Sequence, residues 1–229
     1  MTSSWIPALT LVAAAALPVG GHAGRPLTTE DAGVLEAGAC EFEPSATRVR
    51  SEGASATASV VQVACGAPWR SQIFANVGRT SGAGEHATTY GLGGKTGLFG
   101  GGDAPLSLTL AYGLTLGTGS SGGRRVTDGI VNLVASGELA EGWTGHANLG
   151  WIGERDPRAN IGTWNLAVEK AMGAGIDLVA EVYGTDRRER WVGAGARWVS
   201  GAFSLNGLVA RMVSDPKATL WTFGAKLEF

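Results

Sequence analysis

Strict alternation of apolar and small polar residues is the feature of this chain that most constrains its fold. The clearest run is PLSLTLAYGLTL, residues 105–116, where every second residue from Leu106 to Leu116 is Leu or Tyr. The residues between them are Ser, Thr, Ala and Gly. Because successive strand side chains point to opposite faces, such a run predicts a β-strand with one apolar face.

The same alternation recurs from about residue 38 to residue 229 and predicts twelve strands. Short clusters of Gly, Pro, Asp and Asn separate the runs, as expected of residues that turn a chain. No run suggests a long helix or a linker, so residues 38–229 are predicted to form one domain. The predicted strands are 38–50, 54–66, 69–79, 86–98, 105–116, 126–137, 143–152, 161–171, 176–184, 189–199, 202–213 and 218–229.

Two all-β architectures fit this pattern, and the less apolar face distinguishes between them. A soluble sandwich points its apolar face inward and exposes a charged face. Here the second face is mostly Gly, Ala, Ser, Thr and Asn, and only 17% of all residues are charged. Tryptophans beyond residue 23 lie near predicted strand ends, where membrane barrels place aromatic girdles. The exception is Trp191, which shares phase with Arg197. We therefore expect either that one of these two residues is misassigned or that a bulge lies between them.

The sequence therefore predicts an all-β fold, a transmembrane antiparallel up-and-down β-barrel of about twelve strands. Residues 1–23 are predicted to be a cleaved signal peptide, with an apolar centre over residues 6–19 and small residues leading to Ala23. Beyond them no run reaches the roughly 20 apolar residues that a membrane helix needs. Residues 24–37 are expected to form either a small plug in the lumen or a disordered periplasmic lead. The predicted location is the bacterial outer membrane.

The last eight residues, TFGAKLEF, resemble the assembly signal of outer-membrane barrels. That signal consists of a polar residue, Gly, an apolar residue and a terminal aromatic at fixed spacing. Thr222, Gly224, Leu227 and Phe229 occupy those four places. The resemblance implies that the barrel-assembly machinery is a partner of this chain.

Two cysteines flank the first predicted hairpin. A two-residue turn at Glu52-Gly53 pairs Ser51 with Ala54 and, counting outward, Cys40 with Cys65. Directly opposed strand residues have β-carbons about 4.5–5.5 Å apart, close to disulfide geometry. The periplasm is oxidising, so a structural disulfide is predicted. Metal binding is the alternative, but two thiols without a partnering His make a poor zinc site.

Polar residues on the inward phase are candidates for lining the lumen. They either hydrate and cross-link a narrow interior, or line a permeation path and make it selective for the charge of the solute. Twelve strands fit both interpretations. We expect no cofactor and no catalytic or metal-binding residue. The candidate lumen residues are Arg70, Lys95, Asp128, His146, Asn148, Glu169, Asp177, Glu181, Lys226 and Glu228.

A lipid-modifying hydrolase is an alternative of a different class. Beyond the signal only His86 and His146 remain as bases. His146 has Asn148 beside it in phase, but the sequence fixes no Ser nearby, and a nucleophile and its base must lie within hydrogen-bonding reach.

Arginines cluster in three alternate loops. With both ends of the barrel domain in the periplasm these loops open to the outside, where guanidinium groups suit the phosphates of lipopolysaccharide. Ordinary solvated loop charge is the alternative. The formal net charge of −2 argues weakly against nucleic acid as a partner. The candidate rim residues are Arg124, Arg125, Arg155, Arg158, Arg187 and Arg188.

The segment RPLTTEDAGVLEAGACEFE, residues 25–43, resembles the start of mature outer-membrane barrels grouped with the meta-pathway of phenol degradation. HANLGW and LVAEVYG, residues 146–151 and 178–184, continue the resemblance in the same order. The family is described as transporters of small, often aromatic, compounds. The resemblance implies passive transport of small molecules, with a closed structural barrel as the other possibility. It carries over no substrate-contacting residues.

Overall fold

The structure is a computed structural model that describes residues 27–101, 104–118, 123–155 and 158–229. The predicted signal peptide, residues 1–23, lies outside the described residues. Among the residues described, no helix is both long and apolar enough to pass through a membrane.

Twelve antiparallel strands form one closed barrel in which each strand pairs with its neighbours in sequence and β1 pairs with β12. This confirms the predicted up-and-down topology. The strands are β1 Cys40–Ser51, β2 Ala54–Ala67, β3 Ser71–Gly82, β4 Glu85–Phe99, β5 Leu106–Thr118, β6 Arg124–Ala140, β7 Trp143–Arg155, β8 Arg158–Gly173, β9 Ile176–Thr185, β10 Arg190–Ser200, β11 Phe203–Met212 and β12 Ala218–Glu228.

The predicted strand limits agree with these within a few residues. The largest differences are in β6 and β8, which extend at both ends beyond the predicted ranges 126–137 and 161–171. The register of β6 shifts between Glu138 and Ala140 where it pairs with β7. Such a bulge breaks the period of two while the ladder continues, so alternation alone underestimates the length of the strand.

The outward face of the barrel is apolar and exposed. Leu149, Phe223 and Leu92 are 68%, 64% and 56% exposed, whereas their inward neighbours along each strand are buried or half-buried. Soluble monomers rarely expose such a continuous apolar surface. The wall is therefore built to face hydrocarbon, as the alternation predicted.

Trp191 does not belong to the aromatic girdle. Strand β10 pairs continuously with β9 and β11, so Trp191 and Arg197 both face inward without a bulge. Of the two expected explanations, the bulge is absent and the misassignment is confirmed, because Trp191 faces the interior instead of the lipid. The Trp191 side chain is 3% exposed and stacks on Tyr183, with ring centroids 6.0 Å apart. The barrel interior is wide enough to hold an indole ring.

The first hairpin has the predicted register and disulfide. Cys40 lies opposite Cys65, their Cα atoms are 4.1 Å apart, and the two sulfurs are bonded. Glu52 and Gly53 form the turn with φ values of 34° and 84°. Positive φ at both positions is typical of the type I′ turn, which matches the twist of antiparallel strands.

Candidate functional site in the barrel interior

Most of the predicted lumen residues face the interior. Arg70 does not: it lies in the turn between β2 and β3, is exposed, and donates a hydrogen bond to the carbonyl oxygen of Phe99 at 3.3 Å. The prediction for Arg70 was wrong because the strand begins at Ser71, two residues later than expected. The inward-facing members are Lys95, Asp128, His146, Asn148, Glu169, Asp177, Glu181, Lys226 and Glu228.

A stretch of main chain also lies inside the barrel. Residues 27–37, which we call the lumenal segment, precede β1 and form no strand, apart from an isolated bridge between Ala37 and Gly66. Leu27 and Ala32 are buried against inward-facing side chains of the wall. A lumen that holds a polypeptide segment is wider than one filled by wall side chains alone.

Wall side chains satisfy the main-chain groups of the lumenal segment. The amide of Leu35 donates to Gln72 Oε1 on β3 at 2.9 Å, and the amide of Ala32 donates to Ser136 Oγ on β6 at 2.8 Å. On β5, Thr109 Oγ1 donates to the Ala32 carbonyl at 2.6 Å. Buried main-chain polar groups need such partners, so these polar wall residues hold the segment in place.

Further from β1, the segment is bound by β7 and β9. Asn148 on β7 accepts from the amide of Glu30 at 2.6 Å and donates to its carbonyl at 2.8 Å. The Glu181 carboxylate on β9 accepts hydrogen bonds from the amides of Thr28 and Thr29 at 2.9 and 2.8 Å and from Thr29 Oγ1 at 2.9 Å. Glu181 is 4% exposed. A buried carboxylate with several donors is strongly bound, because hydrogen bonds to charged groups are the stronger ones.

An ion pair joins the segment to β4. Lys95 is fully buried, and its Nζ lies 3.3 Å from Glu30 Oε1 and 3.6 Å from Asp31 Oδ1. Removing one partner of a buried pair costs more than the pair contributes net, because a charge is left without compensation. Lys95 and Glu30 therefore depend on each other.

A second charged cluster lies on β8, β9 and β10. Arg197 Nη2 donates to Glu169 Oε2 at 2.6 Å and to Asp177 Oδ2 at 3.0 Å. Sequence reasoning did not place Arg197 in the lumen. Asp177 lies opposite Arg197 in the β9–β10 hairpin, but counting from a two-residue turn does not give this pair, because five residues separate the paired Gly184 and Arg190.

His146 lies opposite Ser136, and Ser136 Oγ is 2.8 Å from His146 Nδ1. The other ring nitrogen, Nε2, is 3.7 Å from Glu169 Oε1, beyond hydrogen-bonding distance. Ser136 Oγ also accepts the hydrogen bond from Ala32, and Glu169 pairs with Arg197. The three side chains are thus engaged in holding the lumenal segment and the charged cluster. Within the described ranges no group of three His, Cys, Asp or Glu side chains is arranged to hold a metal ion.

The interior is apolar near one end of the barrel. This end is opposite to the one where Cys40 and Phe229 lie. We call this region the apolar collar. Sequence reasoning missed it, because the inward phase was taken to be small and polar throughout. Its members are Leu27, Val49, Ala167, Val179, Tyr183, Trp191, Leu208, Ala210, Met212, Ala218 and Leu220.

The residues of the predicted arginine rim lie at the collar end of the barrel, but they do not all lie on the same side of the wall. Arg187 and Arg188 are exposed in the turn between β9 and β10. Arg124 packs over the Tyr90 ring and donates to its hydroxyl at 3.1 Å. Arg125 pairs with Gly117 on the inward phase, so it lies on the interior side of the predicted rim. Arg155, the last residue of β7, lies opposite Arg158, the first residue of β8, in the strand register, and both are exposed.

The four residues of the predicted assembly signal lie where the barrel closes. Thr222 faces inward and its hydroxyl is 2.9 Å from that of Thr47 on β1. A β-carbon on Gly224 would lie 2.8 Å from Asn206 Oδ1, so only Gly fits there without a shift. Leu227 is exposed on the outer wall, and Phe229 exchanges two main-chain hydrogen bonds with Cys40. The motif therefore coincides with the last part of the closing seam.

A closed barrel with an apolar outer wall and a charged, occupied lumen has the fold of bacterial outer-membrane barrels. The chain belongs to the family described as Uncharacterised conserved protein UCP029691, whose model matches residues 11–229. Among curated proteins none matches the sequence. The family result does not show a link to the phenol meta-pathway.

Solved structures with the same fold have very different sequences. The KdgM porin in complex with disordered oligogalacturonate has a TM-score of 0.63 and 8% identity, covering 82% of this chain and 99% of that chain. The COG4313 outer membrane channel from Pseudomonas putida F1 has a TM-score of 0.62 and 13% identity, covering 87% and 98%. The beta domain of the Bordetella autotransporter BrkA has a TM-score of 0.55 and 15% identity, covering 85% and 99%. At these identities the likeness establishes the fold alone.

Proposed function

We propose that this protein is a passive outer-membrane channel for small molecules, and that the lumenal segment closes it in the state described. The observation that carries the proposal is the width of the lumen, which holds a segment of main chain in addition to the wall side chains. Withdrawing that segment would free the space that residues 27–37 occupy in the lumen. The porin and channel folds among its structural neighbours support the same function.

The charge of the interior indicates which solutes would pass. Inward carboxylates outnumber inward cations in the described strands, and a like-charged lining repels permeating anions. We propose that the channel favours neutral and cationic solutes over polyanions such as the oligogalacturonate of the KdgM complex. The carboxylates include Glu41, Glu43, Asp128, Glu154, Glu169, Asp177, Glu181 and Glu228, and the cations include Lys95, Arg125, Arg197 and Lys226.

The apolar collar further favours compact apolar molecules. Trp191 and Tyr183 stack within it, and Leu208 and Met212 are buried beside them. Apolar and aromatic surfaces of this kind bind small hydrophobic ligands. A monoaromatic hydrocarbon channel, CymD, shares the barrel fold with a TM-score of 0.50 and 8% identity. We therefore propose small neutral aromatic compounds as the solute class.

The decisive experiment compares the purified wild type with a variant lacking residues 27–35 in planar lipid bilayers. The proposal predicts low or intermittent conductance for the wild type and larger, steady steps for the deletion, with cations more permeant than anions. Heat-modifiable gel mobility would show that both barrels are folded. A folded deletion variant that conducts no ions would favour the closed structural barrel. Release of fatty acid from labelled phospholipid would instead favour the hydrolase.

The predicted location and partners form part of the same proposal. An amino-terminal signal, residues 1–23, would direct the chain across the inner membrane, and the barrel-assembly machinery would recognise the terminal strand. Cell fractionation with amino-terminal sequencing of the mature protein tests both steps. Recovery from the inner membrane, or an intact first residue, would contradict them.

A further inference from the structure

Four arginines lie on the outer wall of the barrel, on the face otherwise built for hydrocarbon. Arg48 and Arg50 on β1, Arg79 on β3 and Arg211 on β11 are all exposed and share phase with the apolar outward residues. Each lies within three residues of its strand's end, at the end of the barrel away from the terminal Phe229. We call these four residues the arginine arc.

The arc spans five neighbouring strands. Arg211 lies opposite Thr219 on β12, and Thr219 lies opposite Arg50 on β1. Because neighbouring strands are about 4.8 Å apart, these two side chains start about 10 Å from each other. Arg48 is two residues from Arg50 on the same face, about 7 Å away, and lies opposite Trp221. Arg79 lies two strands from β1, opposite Ser59 of β2.

No carboxylate compensates this positive charge from the same face. The outward positions of β11, β12, β1, β2 and β3 hold no Asp or Glu, and within the described part of the chain none of the four arginines makes an ion pair or a side-chain hydrogen bond. Instead the hydroxyls of Thr57, Ser59 and Thr219 lie between them. The arc therefore combines fixed cations with neutral hydrogen-bonding groups at one edge of an apolar wall.

We propose that the arginine arc binds the phosphate groups of lipid A, the phosphorylated glycolipid of the outer leaflet. This inference rests on the proposed outer-membrane location, with Phe229 at the periplasmic end. An arginine at the level of the headgroups costs little, about 0–1 kcal/mol, but it costs more toward the midplane. Guanidinium groups match phosphate oxygens with paired, charge-assisted hydrogen bonds. The apolar wall beneath the arc would contact the acyl chains of the same lipid.

The loop arginines are less suited to this role. Arg124 is engaged with Tyr90, and Arg125 faces inward. Arg187 and Arg188 lie in a turn beyond the strands, where no acyl-chain surface is beside them. Phosphate binding together with acyl-chain contact distinguishes the arc from the rim that the sequence suggested.

The experiment measures lipid A retained per purified barrel by native mass spectrometry. The arc variant is Arg48→Gln, Arg50→Gln, Arg79→Gln and Arg211→Gln in one chain. The control changes the same number of charges at Arg155, Arg158, Arg187 and Arg188, again to Gln. The proposal predicts that the arc variant loses lipid A by about tenfold or more, as expected from losing several charge-assisted contacts, whereas the control retains it.

A second measurement needs no variant. Wild-type barrels are incubated with bisphosphorylated or monophosphorylated lipid A in phosphatidylethanolamine vesicles, and weaker retention of the monophosphorylated form is expected. Equal retention of both forms, or loss only in the loop control, would overturn the proposal. Heat-modifiable mobility and outer-membrane fractionation of each variant report separately on folding and location. A barrel that fractionates with the inner membrane would refute the proposed location rather than the phosphate contacts.

Discussion

Changing Glu181→Gln should release the lumenal segment. The Glu181 carboxylate holds Thr28 and Thr29 through three donors at 2.8–2.9 Å. Each hydrogen bond to a charged group contributes about 1.5–3 kcal/mol. Glutamine keeps one acceptor oxygen but turns an NH₂ group toward backbone N–H donors, so a loss of about 3 kcal/mol is expected. At about 1.4 kcal/mol per factor of ten, the docked population should fall about 100-fold relative to the released one.

Single-channel recording in planar bilayers measures this shift as the fraction of time spent open. The deletion of residues 27–35 sets the fully open level, and Asp128→Asn is the control. It makes the same charge change in the lumen, at a carboxylate whose hydrogen bond is to Thr127. Glu181→Gln should approach the deletion, and Asp128→Asn should resemble the wild type. If Glu181→Gln matched the wild type while the deletion conducted strongly, the assignment of Glu181 as the main anchor would be refuted.

Three further changes test other parts of the structure. Replacing Cys40 and Cys65 by Ser removes a cross-link between residues 25 apart and should lower the free energy of unfolding by about 3 kcal/mol. Unchanged heat-modifiable mobility on a temperature series would contradict this. Trp191→Ala should lower the free energy of unfolding by about 3–5 kcal/mol and lower toluene flux relative to glucose flux in liposomes, because it removes an aromatic surface from the apolar collar. Trp198→Ala on the outer wall should not alter the flux ratio. Removing Phe229 should lower the amount of barrel in the outer membrane without preventing refolding in detergent, and equal amounts in cells would argue against a recognition role.

Local signals account for what the sequence predicted well. Period-two alternation is set by strand geometry, so it located all twelve strands and their outward faces. The Cys40–Cys65 bridge followed from a two-residue turn, because register in a short hairpin is fixed by counting from the turn. The same counting does not pair Ser136 with His146 or Asp177 with Arg197. A register shift beside the β6–β7 turn moves the first pair by one residue, and five residues separate the paired Gly184 and Arg190 in the hairpin that holds the second.

The rest of the interior depends on contacts that local patterns do not encode. The lumenal segment has no periodicity, and its partners Gln72, Asn148 and Glu181 lie 37, 118 and more than 150 residues away. Trp191 was misleading for a related reason. An aromatic residue near a strand end suits a girdle or a wide lumen equally well, and only the closed geometry of the barrel decides which face it occupies.

The division of the interior into a polar part and an apolar collar follows from the lumenal segment itself. Main chain without secondary structure needs a hydrogen-bonding partner for each buried N–H and C=O, and the wall supplies Gln72, Thr109, Ser136, Asn148 and Glu181 along its path. Where the segment reaches Leu27, the wall instead becomes apolar. If the segment withdrew, water would replace its hydrogen bonds along the polar part, whereas the collar would gain no such compensation. The polar residues therefore keep hydrogen-bonding partners in both states, the segment in the closed state and water in the open state. The collar is the part of the path that selects against charged solutes.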